Sequence, residues 1–310
     1  MNDFQGKTVV ITGASSGIGK AIALTLAQEG MNLVLAARRE AVLQEVASEC
    51  EAMGGVAIAV KTDVTNKNEV QNLKETAISF FGTIDIWINN AGTMAIGELN
   101  ETPLEAHEQV IKTNLMAPLY GIYSILPYFK ERKKGIIINT VSIGAYVPTP
   151  FAASYSAGKF GLRGLDEAVR SEVKEFSEIH LCDVNPAFIN TPGNLHAANY
   201  TGKEIHMAPP VYDPFQVAHA VKKLIENPKE NIMVGGAARI ARFVHSLAPH
   251  LLGSAIARSA RIYFQKAKSA PVTAGGLFSP TPLGVTARGE NMKRPSLLKR
   301  ILKPSPSAFH

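Results

Sequence analysis

A tyrosine and a lysine four residues apart could form a proton donor in this chain. Tyr155 and Lys159 lie in the run Tyr-Ser-Ala-Gly-Lys, so on a helix their side chains would share one face. A free tyrosine has a pKa of about 10, and a nearby cation lowers that pKa by favouring the phenolate. The same spacing also occurs by chance on amphipathic helices, where the lysine is simply solvated. The surrounding sequence must therefore decide between the two interpretations.

A serine thirteen positions before the tyrosine supports the chemical interpretation. Ser142 closes the apolar run 135–142, which is typical of a fully buried strand. A hydroxyl at the end of such a strand can face the same cleft as Tyr155.

A glycine-rich turn near the N-terminus indicates a nucleotide site. The β-branched run 7–12 predicts a strand, Gly-Ala-Ser-Ser-Gly-Ile-Gly follows at 13–19, and a helix-like run covers 20–28. This order places backbone N–H groups and the positive end of a helix dipole where a pyrophosphate can bind. The spacing differs from G-x-G-x-x-G, and Gly19-Lys20-Ala21 lacks the Gly-Lys-Ser/Thr that ends a P-loop.

With these motifs the chain resembles the single-domain branch of the short-chain dehydrogenase/reductase (SDR) family, from about residue 3 to about residue 236. The resemblance rests on Thr12 to Gly19, on Asn89 to Gly92, and on four residues that match the family's catalytic tetrad. Those four are Asn114, Ser142, Tyr155 and Lys159.

The resemblance implies a role for each member of the tetrad. Tyr155 would exchange a proton with the substrate oxygen while a hydride moves between the substrate and a nicotinamide, and Ser142 would hydrogen-bond that oxygen. Lys159 would lower the pKa of the phenol and bind the nicotinamide ribose. Asn114 would hold a water that relays protons to the lysine.

Charge after the second predicted strand favours NADP(H) as the cofactor. An acidic residue there would bind the ribose 2′-hydroxyl, whereas an arginine accommodates a 2′-phosphate. Ala37 stands where members of the family that use NAD usually carry aspartate, and Arg38 and Arg39 follow it. Both arginines could instead be solvated residues at a helix start, where Glu40 tempers their charge.

Two further segments complete the expected cofactor site. Asp63-Val64 resembles the family's adenine contact, although Asp63 could instead cap the following helix. In the run 186–192 the resemblance puts Ile189 and Thr191 on the nicotinamide carboxamide, with Ala187 in place of the usual glycine. The expected cofactor-binding residues are Gly13, Ser15, Ser16, Gly17, Ile18, Gly19, Arg38, Arg39, Asp63, Val64, Asn90, Ala91, Gly92, Tyr155, Lys159, Pro186, Ile189 and Thr191.

Length and pattern predict an α/β fold with a doubly wound, Rossmann-like parallel sheet in residues 1–238. The chain has 310 residues and 46% hydrophobic content, enough for one large core. The expected strands lie near 7–12, 33–37, 56–61, 84–89, 135–141, 179–184 and 231–235.

The cysteines and the apolar runs favour a cytoplasmic protein. Cys50 and Cys182 are far apart, match no metal-ligand spacing and do not suggest a disulfide framework, which fits a reducing compartment. The first strand begins too close to Met1 for a signal peptide, and no uninterrupted apolar run approaches the ~18 residues that span a bilayer. Any membrane contact would therefore be peripheral.

A long loop, 193–214, is expected to form a lid over the substrate. Its apolar side chains and those after Ser142 suggest a hydrophobic carbonyl or alcohol substrate, although apolar lid residues often only pack against their own domain. The side chains concerned are Tyr146, Val147, Phe151, Leu195, Tyr200, Met207 and Tyr212.

The C-terminal part of the chain is strongly basic. Residues 231–310 carry a formal charge of +11 while residues 1–230 carry −5, and such asymmetry indicates an anionic surface or partner. Residues 239–268 predict one or two amphipathic helices broken near Pro249, which would bind an anionic membrane surface, cap the substrate pocket or form a dimer interface. Residues 269–310, rich in Pro, Gly, Ser and Thr, predict a disordered basic tail that could extend the membrane contact to residue 303. No nucleic-acid-binding motif is present.

Three functional hypotheses follow. The first is an NADP-dependent oxidoreductase, and the second is a non-catalytic NADP-binding regulator or scaffold, which would not need Ser142, Tyr155 and Lys159. The third is nucleotide-sugar epimerisation, whose family branch usually carries a different glycine loop. The resemblance also implies a homodimer or homotetramer, formed through helices near 103–130 and 155–176.

Overall fold

A parallel sheet of seven strands forms the centre of the computed structural model, which describes residues 4–289. The strand order is β3-β2-β1-β4-β6-β7-β9, so the order reverses between β1 and β4. This doubly wound arrangement confirms the predicted fold class, and it leaves a crevice at the carboxyl ends of β1 and β4, where such sheets bind ligands. The strands are β1 Thr8–Thr12, β2 Asn32–Ala37, β3 Val56–Lys61, β4 Ile86–Asn89, β5 Ala95–Ile96, β6 Gly135–Thr140, β7 Ile179–Pro186, β8 Ala198–Asn199 and β9 Asn231–Val234.

Helices cover both faces of the sheet. Successive side chains of β1 point to opposite faces, so Val9 and Ile11 pack with α1, α2 and α8, while Val10 packs with α3, α5 and α6. The helices are α1 Gly17–Ala27, α2 Glu40–Glu51, α3 Lys67–Phe81, α4 Leu104–Ile111, α5 Ala117–Arg132, α6 Ala153–Glu172, α7 Gly193–His196, α8 Pro214–Glu226, α9 Gly236–Leu247 and α10 Pro249–Lys266.

The predicted elements differ from the observed ones in two places and agree at the C-terminal helices. The seven expected strands are all present, but the two-residue pair β5 and β8 was not foreseen because it is too short to show a period. The helix expected near 103–130 is two helices joined by the π-helical turn Lys112–Met116. The expected break near Pro249 falls between α9 and α10, where proline occupies the first turn.

A chain of buried polar groups crosses the apolar sheet. Asn89, Asn139 and Asp183 are register partners on β4, β6 and β7. Asn89 Nδ2 donates to Asn139 Oδ1 at 2.8 Å, and Asn139 Nδ2 donates to Asp166 Oδ1 of α6 at 2.6 Å. Burial and the neighbouring carboxylate of Asp183 raise the pKa of Asp166, so it keeps a proton that it can donate to Asp183. These bonds attach α6 to the sheet.

Arg170 carries the positive charge at the end of this row of buried polar side chains. Its Nη2 lies 2.6 Å from Asp183 Oδ1, and the side chain of Asp183 is only 2% exposed. We expect Arg170→Met to lower the free energy of unfolding by about 3 kcal/mol, because it leaves a buried carboxylate without its opposite charge. Urea denaturation measures this change.

The matched control is Arg163→Met, about two helix turns earlier on α6. Arg163 pairs with the exposed carboxylate of Glu167 at 2.9 Å, so its loss should cost less than about 1 kcal/mol. Equal losses in the two variants would contradict the role given to the buried pair.

Residues 269–289 follow a defined path, although their composition predicted disorder. Ser269 and Thr273 form antiparallel bridges with Lys203 and Asn199 of the expected lid, and Leu277 is 1% exposed. Backbone pairing with another segment and one buried leucine order this stretch, and composition reports neither. The basic residues of the tail between 290 and 303 lie outside the described residues.

Both cysteines, Cys50 and Cys182, are free and buried. Burial raises the pKa of each thiol to about 12, so neither is suited to nucleophilic or redox chemistry. Within residues 4–289, no helix has the length and apolar character that crossing a bilayer requires.

Candidate active site

The serine and the tyrosine singled out in the sequence lie side by side. Ser142 follows β6, and its Oγ accepts a hydrogen bond of 3.0 Å from the backbone of Gly144 in the short turn Ile143–Ala145. Tyr155 stands in the first turn of α6, and its ring lies so close to Gly144 that a Cβ on this glycine would be 2.9 Å from Tyr155 Cε1. A glycine is therefore required where the turn passes the phenol.

The lysine lies one helix turn further along and is buried. Lys159 is 3% exposed, and its Nζ donates to the carbonyl of Thr140 at 2.7 Å. The same Nζ lies 6.0 Å from the centroid of the Tyr155 ring. The bond to Thr140 joins α6 to the end of β6 beside Ser142.

The pKa values of the pair follow from burial. Burial raises the pKa of Tyr155, and a hydrogen bond from Ser142 opposes that change. Burial also lowers the pKa of Lys159 to about 8, against the attraction of Asp166. The expected lowering of the phenol's pKa by the lysine is not found in this structure, where only the hydrogen bond from Ser142 opposes the effect of burial. Tyr155 is therefore a protonated phenol at neutral pH.

Asn114 is fully buried in the π-helical turn that joins α4 to α5. Its side chain forms two hydrogen bonds with the backbone of Thr93, donating to the carbonyl at 2.7 Å and accepting from the N–H at 3.0 Å. A Cβ on Gly92 would lie 3.1 Å from Asn114 Oδ1 and 3.9 Å from Lys159 Nζ. The structure thus brings all four tetrad positions to the carboxyl ends of β4 and β6.

The glycine loop between β1 and α1 has the shape that a phosphate group needs. Gly13 and Gly17 have φ angles of +68° and +56°, which favour glycine. A Cβ on Gly19 would collide with the carbonyl of Gly13. The first turn of α1 has no acidic residue and no side-chain cap, so no side chain of the helix start itself binds its N–H groups. These residues fit a dinucleotide pyrophosphate.

The side chain of Asn90 points toward the glycine loop and holds it in place. Its Nδ2 donates to the carbonyl of Thr12 at 3.0 Å, and Thr12 Oγ1 accepts from the N–H groups of Asn90 and Ala91 at 3.0 and 3.2 Å. The Asn-Asn-Ala-Gly motif thus fastens the end of β4 to the end of β1. The side-chain amide of Asn90 supports the glycine loop, and Ala91 and Gly92 line the turn that follows β4.

The two arginines after β2 bind the C-terminal part of the chain. Arg38 Nη2 donates to the carbonyl of Gly276 at 2.6 Å. Arg39 donates to the carbonyl of Leu283 at 2.8 Å and to Ser15 Oγ at 3.1 Å. The alternative that both arginines are merely solvated is wrong, since both have specific acceptors. This contact was missed from the sequence, where residues 275–289 show neither a period nor a motif.

Asp63 and Val64 follow β3. The carboxylate of Asp63 accepts from the backbone and the hydroxyl of Thr65 at 2.9 and 2.8 Å. The alternative role of Asp63 as a helix cap is wrong, because Asn66 caps α3 by accepting from the N–H of Asn68. Val64 packs against the apolar core beneath.

The run after β7 lies beside the glycine loop. Pro186 ends the strand, and Ile189 is 6% exposed in the core that faces α1 and α8. Thr191 contacts the loop directly, since a Cβ on Gly17 would lie 3.3 Å from Thr191 Cβ. Ala187 donates its N–H to Val234 and extends the pairing of β7 with β9.

The apolar residues expected around a substrate divide into two groups. Tyr146 and Val147 are 8% and 7% exposed and pack within the domain, and Tyr212 packs on the core below α8, as the alternative interpretation of these side chains anticipated. Tyr200 and Tyr155 each pack against a small cluster that includes Leu277. Leu195 remains 48% exposed.

The basic helices α9 and α10 have two apolar faces. Leu252 and Ile256 pack against the cluster around Tyr146, and Arg242 lies 4.3 Å from the Tyr146 ring centroid. A second set of apolar side chains points outward and is 64–75% exposed: Ile240, Phe243, Leu247 and Leu251. One face therefore covers the catalytic domain while another remains uncovered within the described residues.

Comparison with known proteins places this geometry in a family. A family profile described as short chain dehydrogenase matches residues 7–199. The chain is 34% identical over 254 residues to the uncharacterized oxidoreductase YxnA of Bacillus subtilis (strain 168), covering 81% of this chain and 71% of the relative. It is 36% identical over 195 residues to 3beta-hydroxysteroid dehydrogenase 1 of Eggerthella lenta, covering 62% of this chain and 74% of the relative.

Solved structures of two dehydrogenases also match this chain. An alcohol dehydrogenase of Thermococcus sibiricus complexed with 5-hydroxy-NADP matches with a TM-score of 0.64 and 27% identity, over 74% of this chain and 95% of that chain. A short chain dehydrogenase/reductase of Burkholderia phymatum in complex with NAD matches with a TM-score of 0.67 and 25% identity, over 88% of this chain and 100% of that chain. The glycine loop, the tetrad positions and these matches together establish that the chain belongs to the short-chain dehydrogenase/reductase family of oxidoreductases.

Proposed function

We propose that this protein is an NADP(H)-dependent oxidoreductase that interconverts a ketone or aldehyde and an alcohol, with Tyr155 as the general acid and base. The observation that carries the proposal is the buried contact of Ser142, Tyr155 and Lys159 beside a loop that fits a pyrophosphate. A nicotinamide, when bound, supplies or accepts the hydride. Neither relative described above favours the alternative of a non-catalytic regulator.

The side chains divide the proton chemistry among them. Tyr155 holds a proton at neutral pH and can donate it to a carbonyl oxygen, while the hydroxyl of Ser142 can hydrogen-bond the same oxygen. Lys159, with a pKa of about 8, is mostly charged at pH 7, so its ammonium favours the phenolate that remains after the transfer. Asn114 holds the turn over Lys159 in place.

Removal of the phenol oxygen tests this assignment. We expect Tyr155→Phe to lower kcat at least about a hundredfold, because the proton donor is lost, while the Kd for NADPH changes less than about threefold. NADPH consumption with a panel of apolar ketones measures the rate. Tyr128→Phe, on α5 away from the cleft, is the control and should keep wild-type activity. Substantial residual turnover by Tyr155→Phe would remove Tyr155 as the acid.

The preference for NADP(H) rests on charge at the end of β2. Arg38 and Arg39 lie there, and the preceding Ala37 presents no carboxylate that would repel a 2′-phosphate. The solved relatives bind NADP in one case and NAD in another, so the preference is a property to be measured for this chain.

Arg38→Ala tests the preference. The ratio of the Kd values for NADH and NADPH should fall about tenfold or more, because only NADPH loses a charge-assisted contact. Nucleotide fluorescence titration gives both values. Arg163→Ala, at a half-buried arginine on α6 that pairs with Glu167, should leave the ratio unchanged. A ratio that stays the same in Arg38→Ala, or a wild type that binds NADH more tightly, would overturn the NADP assignment.

We propose that the substrate is hydrophobic and that the protein takes it from a membrane surface. The steroid dehydrogenase relative and the apolar Tyr200, which packs against the same small cluster as Tyr155, support the first part. The second part rests on the uncovered apolar face of α9 and α10, which exposed arginines flank. Residues 231–289 contain no acidic residue.

Two further predictions remain. One is a cytoplasmic location. The other is a dimer or tetramer formed through α5 and α6, which the exposed side chains of Tyr123 and Phe160 support.

Vesicle binding tests the membrane surface. The wild-type chain should co-sediment with phosphatidylserine-containing vesicles and not with pure phosphatidylcholine vesicles. Leu247→Asp, at a residue 71% exposed on α9, should weaken binding about tenfold or more, whereas Leu99→Asp, 65% exposed elsewhere, should not. Equal binding by both variants would contradict a membrane role for this face.

A further inference from the structure

The last described residues cross the candidate nucleotide cleft from one end to the other. We call residues 275–289 the tail segment. It contacts the arginines after β2, the first turn of α1 and the run after β7, all of which belong to the expected cofactor site. It meets these three elements in this order along its own sequence.

Backbone carbonyls of the tail segment meet the two arginines. Arg38 donates to the carbonyls of Gly276 and Leu277, and Arg39 donates to those of Thr281, Leu283 and Gly284. The distances run from 2.6 to 3.4 Å. A guanidinium group binds carbonyl oxygens and phosphate oxygens with the same N–H donors. These donors are therefore already engaged.

The N-terminus of α1 is engaged in the same way. The N–H of Gly17, within the glycine loop, donates to the carbonyl of Thr286 at 2.9 Å. Lys20 Nζ donates to the carbonyl of Val285 at 3.4 Å. Backbone N–H groups at this position are the ones that bind a pyrophosphate in a strand–glycine turn–helix unit. A single N–H cannot serve both acceptors at full strength.

Two side chains anchor the tail segment at its ends. Leu277 is 1% exposed and packs in the small cluster of Ala95, Ala106, Val110 and Ala198. Arg288 pairs with Asp213 at 2.7 Å and lies 4.4 Å from the Phe215 ring centroid. Beyond it, the N–H of Gly289 donates to the carbonyl of Asn190 at 3.1 Å, and Asn190 Nδ2 donates to the carbonyl of Gly289 at 3.3 Å.

We propose that the tail segment is an internal competitor of the dinucleotide, which must leave the cleft before the cofactor can bind. The inference rests on the proposed function, because it concerns the same site. A segment that closed over a bound cofactor would contact the outer side of that cofactor. The tail segment instead occupies the protein donors that we expect to bind the cofactor: Gly17 N–H, Arg38 and Arg39. When the closed form dominates, the apparent Kd for NADPH is the Kd of the open form divided by the fraction of open molecules.

Variants that loosen an anchor in the full-length chain test the competition. Leu277→Ala should lower the Kd for NADPH at least about tenfold, because it empties a buried site in the closed form only. Leu283→Ala is the matched control, since the side chain of Leu283 is 62% exposed and its backbone acceptor is kept. Arg288→Ala removes the second anchor independently and should change the affinity in the same direction.

Hydrogen exchange of the wild-type protein gives a second readout that does not depend on a substitution. The backbone N–H groups of Gly276, Leu277 and Gly289 donate within the closed form, so they should exchange slowly without cofactor. Saturating NADPH should make residues 275–289 exchange faster while the glycine loop exchanges more slowly.

The outcomes separate the two proposals. If NADPH binds with the same Kd in the wild type, Leu277→Ala and Arg288→Ala, or if it slows exchange in residues 275–289, the competition is overturned and the oxidoreductase proposal stands. If none of these proteins binds NADPH or NADH, the proposed function fails and the competition fails with it. Tighter binding by both anchor variants, with faster exchange of the tail segment on NADPH addition, supports the inference.

Discussion

The parallel direction of all seven main strands is the constraint on which the rest of the structure depends. It brings the carboxyl ends of the strands to one edge, where the glycine loop, the Asn-Asn-Ala-Gly motif, Ser142 and the run after β7 meet although they are far apart in sequence. Hydrogen bonds then fix the parts to one another: Asn90 joins β4 to the loop, and Lys159 joins α6 to the end of β6. The catalytic helix takes its position from the sheet and not from its own propensity.

Burial gives the site its acid–base character. The same removal from water that raises the pKa of Tyr155 above its ordinary value of 10.0 lowers the pKa of Lys159 from 10.5 to about 8. The buried phenol therefore holds its proton more tightly than the ammonium does, although the free groups have similar pKa values. Deeper in the sheet, burial also raises the pKa of Asp166, and the buried carboxylate of Asp183 pairs with Arg170. Polar groups on three neighbouring strands thus serve to hold α6, and the helix in turn presents the phenol.

Much of the fold could be predicted because local sequence determines it, whereas the assignment of the four tetrad positions came from the resemblance to the family. The β-branched runs gave the main strands, and residue types at fixed spacing identified Tyr155, Lys159 and the glycine loop. The remaining features depend on contacts between distant residues. The pKa of Tyr155 depends on how completely the folded chain excludes water, the role of Asn90 on the approach of β1 and β4, and the path of residues 275–289 on carbonyl acceptors that every residue type possesses. The polar row of Asn89, Asn139 and Asp183 was visible as single polar residues in apolar strands, but its alignment required the register.

The pairing between the lid and the residues just before the tail segment has a kinetic consequence. Asn199 and Thr273 exchange backbone hydrogen bonds of 2.8 and 2.9 Å, and Gly202 and Glu204 are bonded to Ala270 and Lys268. If the C-terminal residues leave the nucleotide cleft as proposed, these bonds would transmit the movement to the 193–214 loop. Coupled in this way, the two halves of the cleft would favour a compulsory order of addition, with the dinucleotide entering first and the organic substrate second.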